Sequence, residues 1–274
     1  MRNIHPAAWV GLFLNLLMGW MLFSGLSSVD LNAFPGEERE VIESFVQTAL
    51  AVRPIFMGLL VVQAIALALI STGSKLGLPL SMIAGLLTLP GSIIYMLGSA
   101  MSNCRVRYAD FRPAPSGHAG ALYVFPAAAL KKARVWTLAL IVGTLAAMWM
   151  GSYDAMIISG GMVLAGAYCM WRAAKNNALG LHERHFVLSP AFFAQPLLIF
   201  YDRVLEARLV EGKEGSGPLG ALRAGGGAKI RFRVETGAGT RDLDWPLSQL
   251  FPKDVAPALR ELGDALTLHN VPLY

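Results

Sequence analysis

Five histidines and two cysteines are the soft metal ligands available in 274 residues, and only His182-Glu183-Arg184-His185 sets two of them close together. Metal-binding pairs on a helix sit at i and i+4, where they share a face. Here the separation is i, i+3 in a stretch that reads as a strand, whose alternate side chains point to opposite faces. That spacing sends the rings apart and argues against a metal site. Gly225-Gly226-Gly227 has the composition of a phosphate cradle without the lysine-serine signature or following helix such a cradle needs. Cys104 and Cys169 lack CxxC spacing and read as reduced, cytosol-facing thiols. No catalytic residue, cofactor or metal is expected, and a non-enzymatic protein is the first reading.

The remaining polar residues with chemical potential lie in or beside apolar runs. Asn15 and Gln63 each interrupt such a run and are expected to make helix–helix hydrogen bonds, with a substrate contact as the alternative. Pro90-Gly91 falls in the middle of another run, where it predicts a kink that either eases packing or lines a cavity. Asp154 falls in a turn and reads as solvated, since acids mark function by default only inside a span. Arg105, Arg107, Arg112, Lys131, Lys132 and Arg134, against Asp110, give residues 102–134 a net charge of +5. Such a segment would hold anionic lipid headgroups, or pair with residues 27–52, whose Asp30, Glu37, Glu38, Glu40 and Glu43 against Arg39 give −4.

The elements that must position these residues are mostly membrane helices. The chain is 55% hydrophobic and 15% charged, poor in charge for a soluble protein of this size. Residues 1–175 hold 12 Lys/Arg and 7 Asp/Glu while the rest holds 11 of each, so the net charge of +5 comes from the loops between apolar segments. That distribution marks membrane orientation and excludes a nucleic-acid surface. About five transmembrane helices are predicted, near 9–26, 54–72, 80–101, 135–151 and 155–171, in a helical domain covering 1–175. The first could be a cleaved signal peptide, but Trp20 and Met21 sit where small residues would be needed, and a retained helix is preferred. After Pro35-Gly36 an acidic start and apolar residues Val41, Ile42, Phe45, Val46 and Ala49 predict an amphipathic helix that lies at the interface or continues into the next span, with a break expected at Arg53-Pro54. Arg105 to Phe111 and Ala121 to Phe125 look strand-like and could form a small hairpin. The last two spans join through Gly151-Ser152-Tyr153-Asp154, a helical hairpin flanked by Trp136 and Trp149. With five spans, an outside N-terminus leaves ten Lys/Arg on the cytoplasmic side against Arg2 and Lys75, placing the C-terminal domain in the cytosol. A cleaved first segment or a third segment that does not cross would change that parity.

Residues 176–274 read as a small α+β domain. Lys229 to Glu235 alternates polar and apolar without exception, a strand with one buried face. Gly237-Ala238-Gly239 turns it into a second strand at Asp242 to Trp245. Leu179 to Leu188 and Leu197 to Val210 supply two or three more strands, and residues 212–227, with seven glycines, form a flexible loop. Asp254 is the expected N-cap of a closing amphipathic helix with Val255, Leu259, Leu262 and Leu266 on its inner face. The strand order, the step Trp245-Pro246-Leu247, then Leu250-Phe251-Pro252 and the last helix resemble the bacterial pleckstrin-homology-like domains that follow membrane helices. The resemblance covers about a third of the chain. It implies a bent seven-stranded antiparallel sheet capped by a C-terminal helix, and a binding or assembly module. The basic hairpin with which phosphoinositide-binding members hold their ligand is represented only by Lys229, Arg231 and Arg233, diluted by Glu235, Asp242 and Asp244. The expected protein is a multi-pass component of the bacterial inner membrane whose partners are the bilayer and other membrane proteins or copies of itself. A transport or channel subunit is the alternative, and an integral-membrane enzyme ranks third.

Overall fold

The structure is a computed structural model that describes residues 4–88, 92–114, 120–128, 177–210 and 228–274, with scattered helical positions between 135 and 171. The chain divides into two compact units, Met1–Arg107 and Tyr108–Tyr274.

The first unit contains α1 (Pro6–Ser27), a short 3-10 turn (Leu31–Ala33), α2 (Gly36–Ser71), α3 (Gly77–Leu87) and α4 (Ile93–Arg107). His5 caps α1 by accepting from the Ala7 N–H at 3.1 Å, and Pro6 opens the helix where its missing N–H costs nothing. α1 contains the expected first span. The expected break at Arg53-Pro54 is absent, because Pro54 lies inside a continuous helix of 36 residues. One proline removes a single ladder hydrogen bond, and the flanking turns keep theirs. α1 and α2 run antiparallel, with Asn15 bonded to Gln63 and Phe23 against Phe56.

The expected third span, 80–101, is two helices. α3 has 11 residues and α4 has 15, about 16 and 22 Å long, each short of a hydrocarbon core of about 30 Å. α3 starts beside Ile70 and returns along α2 to Gln63. α4 then packs back along α3, where Met96 covers Gly85. It also runs antiparallel to α1. A side chain on Gly98 would come within 2.1 Å of the Ala8 backbone, and one on Gly11 within 2.2 Å of the Tyr95 backbone. At the end of α4, Ser102 accepts from the His5 N–H at 2.9 Å, and Val106 lies beside Gly73. The start of α3 and the end of α4 therefore lie at the same end of the unit as the start of α1. Pro90 and Gly91, the expected kink, lie outside the described residues.

The count of five spans does not hold. Among the described residues two helices, α1 and α2, have the length and composition to cross a membrane. The described positions of the predicted 135–151 and 155–171 spans are helical, and Gly166 sits against Thr137, but the turn at 151–154 lies outside the described residues.

The second unit is an antiparallel β domain ending in a helix. A four-stranded sheet has the order β1 (Tyr123–Pro126), β2 (Asn177–Leu181), β3 (His185–Leu188) and β4 (Leu197–Phe200); a three-stranded sheet has β5 (Val204–Val210), β6 (Lys229–Thr236) and β7 (Gly239–Pro246). The helix α5 (Pro252–Leu268) follows. Neighbours in each sheet are consecutive in the chain; β2–β3, β3–β4 and β6–β7 join over short intervals, whereas β1 with β2 and β5 with β6 pair across long ones, 127–176 and 211–228. Between β1 and β2, Val124 pairs with Gly180 across the whole 135–171 segment, and the sheet reaches back past the expected boundary at 175/176. The strand-like look of Arg105 to Phe111 misleads, because α4 runs through Arg107, and β1 has β2 as its partner instead. One core joins both sheets and the helix: Leu179, Phe186, Leu188 and Ile199 from the first sheet, Ile230, Phe232, Leu243 and Trp245 from the second, Ala258, Leu262 and Leu266 from α5. α5 begins three residues ahead of expectation, with Phe251 at the N-cap position and Asp254 in the first turn, where its charge suits the helix dipole.

Candidate functional site

Where α1, α2 and the α3–α4 hairpin meet, the first unit buries a connected polar centre. The Asn15 amide donates to Gln63 Oε1 at 3.0 Å, and Gln63 Nε2 donates to Thr88 Oγ1 at 2.6 Å and to the Ala84 carbonyl at 3.4 Å. The Thr88 and Ser92 hydroxyls bond to one another, and Ser92 Oγ also donates to the Thr88 carbonyl at 2.7 Å. Tyr95 donates its hydroxyl to the Gln63 carbonyl at 2.8 Å. Asn15, Gln63, Ser92 and Tyr95 are each no more than 1% exposed. Asn15 and Gln63, separated by 48 positions, are thus brought together as helix–helix contacts.

Sequence reasoning missed Thr88, Ser92 and Tyr95. The available signal was their position on either side of Pro90-Gly91: a chain reversing inside an apolar unit leaves bare the carbonyls that end one helix, and side chains must satisfy them. Thr88 does so for Ala84, and Ser92 for Thr88. The centre is built of neutral groups that knit three elements, and of the side-chain atoms of these five residues only Asn15 Oδ1 is buried without a hydrogen-bond partner.

The residues of the expected basic cluster are divided between the two units. Arg105 and Arg107 end α4, where cations suit the negative end of the helix dipole. Arg112 belongs to the second unit, beside β4, where its carbonyl accepts from the Leu198 N–H. Lys131, Lys132 and Arg134 lie outside the described residues. Because α4 is antiparallel to α1, Arg105 and Arg107 sit at the opposite end of the unit from Asp30 and Glu37 to Glu43, so the proposed pairing of basic with acidic interval fails there.

In the second unit, His182 and His185 are not on opposite faces. β2 ends at Leu181 and a two-residue turn, Glu183-Arg184, reverses the chain, so the His182 N–H donates to the His185 carbonyl at 2.9 Å. The imidazoles stack with centroids 4.3 Å apart and planes 16° from parallel. His269, just past α5, stacks on Tyr201 at 4.3 Å and contacts the Glu183 carbonyl at 2.9 Å. Burial, and then neighbouring His182, hold the His185 imidazole below its ordinary range, while burial pushes the Tyr201 hydroxyl up to about 12. Among the described residues no three metal-ligating side chains gather.

On β6 and β7 the cross-strand register sets Arg231 opposite Asp244 and Arg233 opposite Asp242. Asp244 accepts from Arg231 Nε at 2.7 Å and also pairs with Lys229. Arg233 bridges Glu206 at 3.1 Å and Asp242 at 3.3 Å. The three cations of β6 are therefore committed within the sheet, and Arg241 on β7 pairs with Asp110 at 2.8 Å. An anionic headgroup would have to displace carboxylates to reach them.

Fold and sites together define a chain with two long apolar helices in a helical unit and an antiparallel β domain that ends in a helix. No protein family matches the chain, and no curated protein or solved structure matches it.

Proposed function

We propose that this is an integral membrane protein, placed in a bacterial inner membrane, whose helical unit anchors a pleckstrin-homology-like binding or assembly domain in the cytosol. The observation that carries the membrane reading is the surface of α1 and α2. Phe13, Trp20, Met21, Leu22, Ile55 and Val61 are 56–68% exposed, a continuous apolar surface that a soluble monomer would not keep in water. Six antiparallel strands within residues 177–246 and the closing helix support the module, with a seventh strand supplied from Tyr123–Pro126.

In this reading α1 and α2 cross the bilayer, and α3–α4 is a re-entrant hairpin that enters and leaves on the side of the N-terminus. The helix ends at its tip are tolerable at membrane depth because Gln63 and the hairpin's own hydroxyls bond the Ala84 and Thr88 carbonyls. The parity then differs from that of five crossings. Arg2, Lys75, Arg105 and Arg107 fall on one side, followed along the chain by Arg112, Lys131, Lys132 and Arg134, against Arg39 and Arg53 on the other. The positive side is cytosolic, so the N-terminus is inside in place of the outside position first expected. The 135–171 pair, entering and returning, leaves the β domain in the cytosol in either case.

The test is purification of the full chain from its own membrane. A stoichiometric partner that stays bound, and is lost when surface residues of β5–β7 are substituted, is the expected result. A chain that purifies alone and moves solutes across liposomes would overturn the assembly role in favour of transport.

A further inference from the structure

A groove of about 460 Å³ runs along the first unit between α1 and α2. Leu16, Trp20, Phe23 and Met57 form its apolar part; Ser24 and Arg53 stand at its end. Antiparallel packing sets Arg53 level with the last turn of α1, at the edge of the apolar part of α2. Neither the Arg53 guanidinium nor the Ser24 hydroxyl has a partner among the described residues. The neighbouring hydroxyls of Ser27 and Ser28 turn back onto the Phe23 and Gly25 carbonyls at 2.7 and 2.8 Å, which covers part of the negative end of α1 that would otherwise repel an anion. From Leu16 to Ser28 the groove follows α1 for about 18 Å, roughly the hydrocarbon depth of one leaflet.

We infer that this groove is a site for an anionic phospholipid, with the phosphate on Arg53 and Ser24 and one acyl chain along Leu16, Trp20, Phe23 and Met57. The site rests on the membrane reading above. Charge complementarity selects the occupant: an unpaired cation at the level of the headgroups, above an apolar trough, matches a phosphate that carries a hydrocarbon chain. A neutral lipid would leave the guanidinium unanswered, and a second copy of this helix pair would bring another Arg53 against the first.

The experiment is native mass spectrometry of the full chain from micelles containing equal amounts of phosphatidylglycerol and phosphatidylcholine with the same acyl chains. The expected result is preferential retention of phosphatidylglycerol, lowered about fivefold by Arg53→Gln and unchanged by Arg39→Gln, a cation on the same helix outside the groove. Met57→Trp, which fills the trough, should reduce retention of both lipids without touching the charge. Equal retention of the two lipids by the unaltered protein, or retention indifferent to both Arg53→Gln and Met57→Trp, would overturn the site while leaving the membrane reading intact. Recovery of the chain in the soluble fraction after cell lysis would overturn both.

Discussion

Asp244 shows how much a single carboxylate can decide in a small sheet. Burial alone would raise its pKa; hydrogen bonds from Arg231 and Lys229, and then their charges, outweigh burial and hold the carboxyl below its ordinary value. A depressed folded-state pKa contributes stability that is present above the unfolded value, near 3.8, and is lost as pH falls through the folded one. Asp244→Asn should remove that acid-sensitive component and cost about 1 kcal/mol at neutral pH, since the pairs are partly solvated; urea titrations at pH 7 and pH 3 read both. The stacked histidines act in a higher range. His185, with its pKa lowered, stabilises the fold above the ordinary imidazole value of 6.5 and loses that contribution as pH falls below it. Protection factors of the amides in residues 177–188 should therefore fall from pH 7.5 to 5.5 more in the unaltered protein than in a His185→Phe variant measured at the same pH values.

Among the elements, the α3–α4 hairpin has the most specific requirements. Its contact with α1 relies on Gly98 and Gly11, where any side chain would meet backbone and not a yielding side chain. Gly98→Val should cost more than the roughly 1–3 kcal/mol usual for overpacking and separate the helices. Cysteines replacing His5 and Ser102, whose bond marks the end of the crossing, should cross-link readily in the parent and poorly when combined with Gly98→Val. Gln63 holds the tip, and Gln63→Leu should destabilise the unit by about 1–2 kcal/mol, with an Asn15–Gln63 coupling of roughly 0.6 kcal/mol in a double-mutant cycle. Reversible unfolding in mixed micelles measures both. A coupling of zero would mean that the amides merely coexist.

For the whole molecule, the direction of α4 carries the largest consequence. Single cysteines in a cysteine-free chain, placed at Ser28 and at Ser74, should respond oppositely to a membrane-impermeant maleimide: position 28 labelled on intact cells, position 74 only after permeabilisation. The reverse pattern would restore an outside N-terminus. Much of this organisation is legible in the residues alone. The apolar runs of α1 and α2, the division between a helical part and a β-rich tail, the β6–β7 hairpin and the closing helix all follow from local periodicity, because burial of one face imposes a repeat of 3.6 or 2 on the residues themselves. The N-cap of α5 and the continuity of α2 through Pro54 are less legible, since one residue's preference is small beside the cooperative ladder around it.

The sequence by itself determined which segments are apolar, which alternate, and that Asn15 and Gln63 needed partners. Only the tertiary structure decided that residues 80–101 turn back, that β1 is supplied from ahead of the 135–171 segment, and that His182 and His185 face one another. The first two are questions of direction and long-range pairing; the third turns on where β2 ends. An apolar run of 22 residues has the same composition whether it crosses or reverses, and the decision lies in contacts such as Gly98 on Ala8 and Thr88 on Gln63, made by residues far apart in the chain.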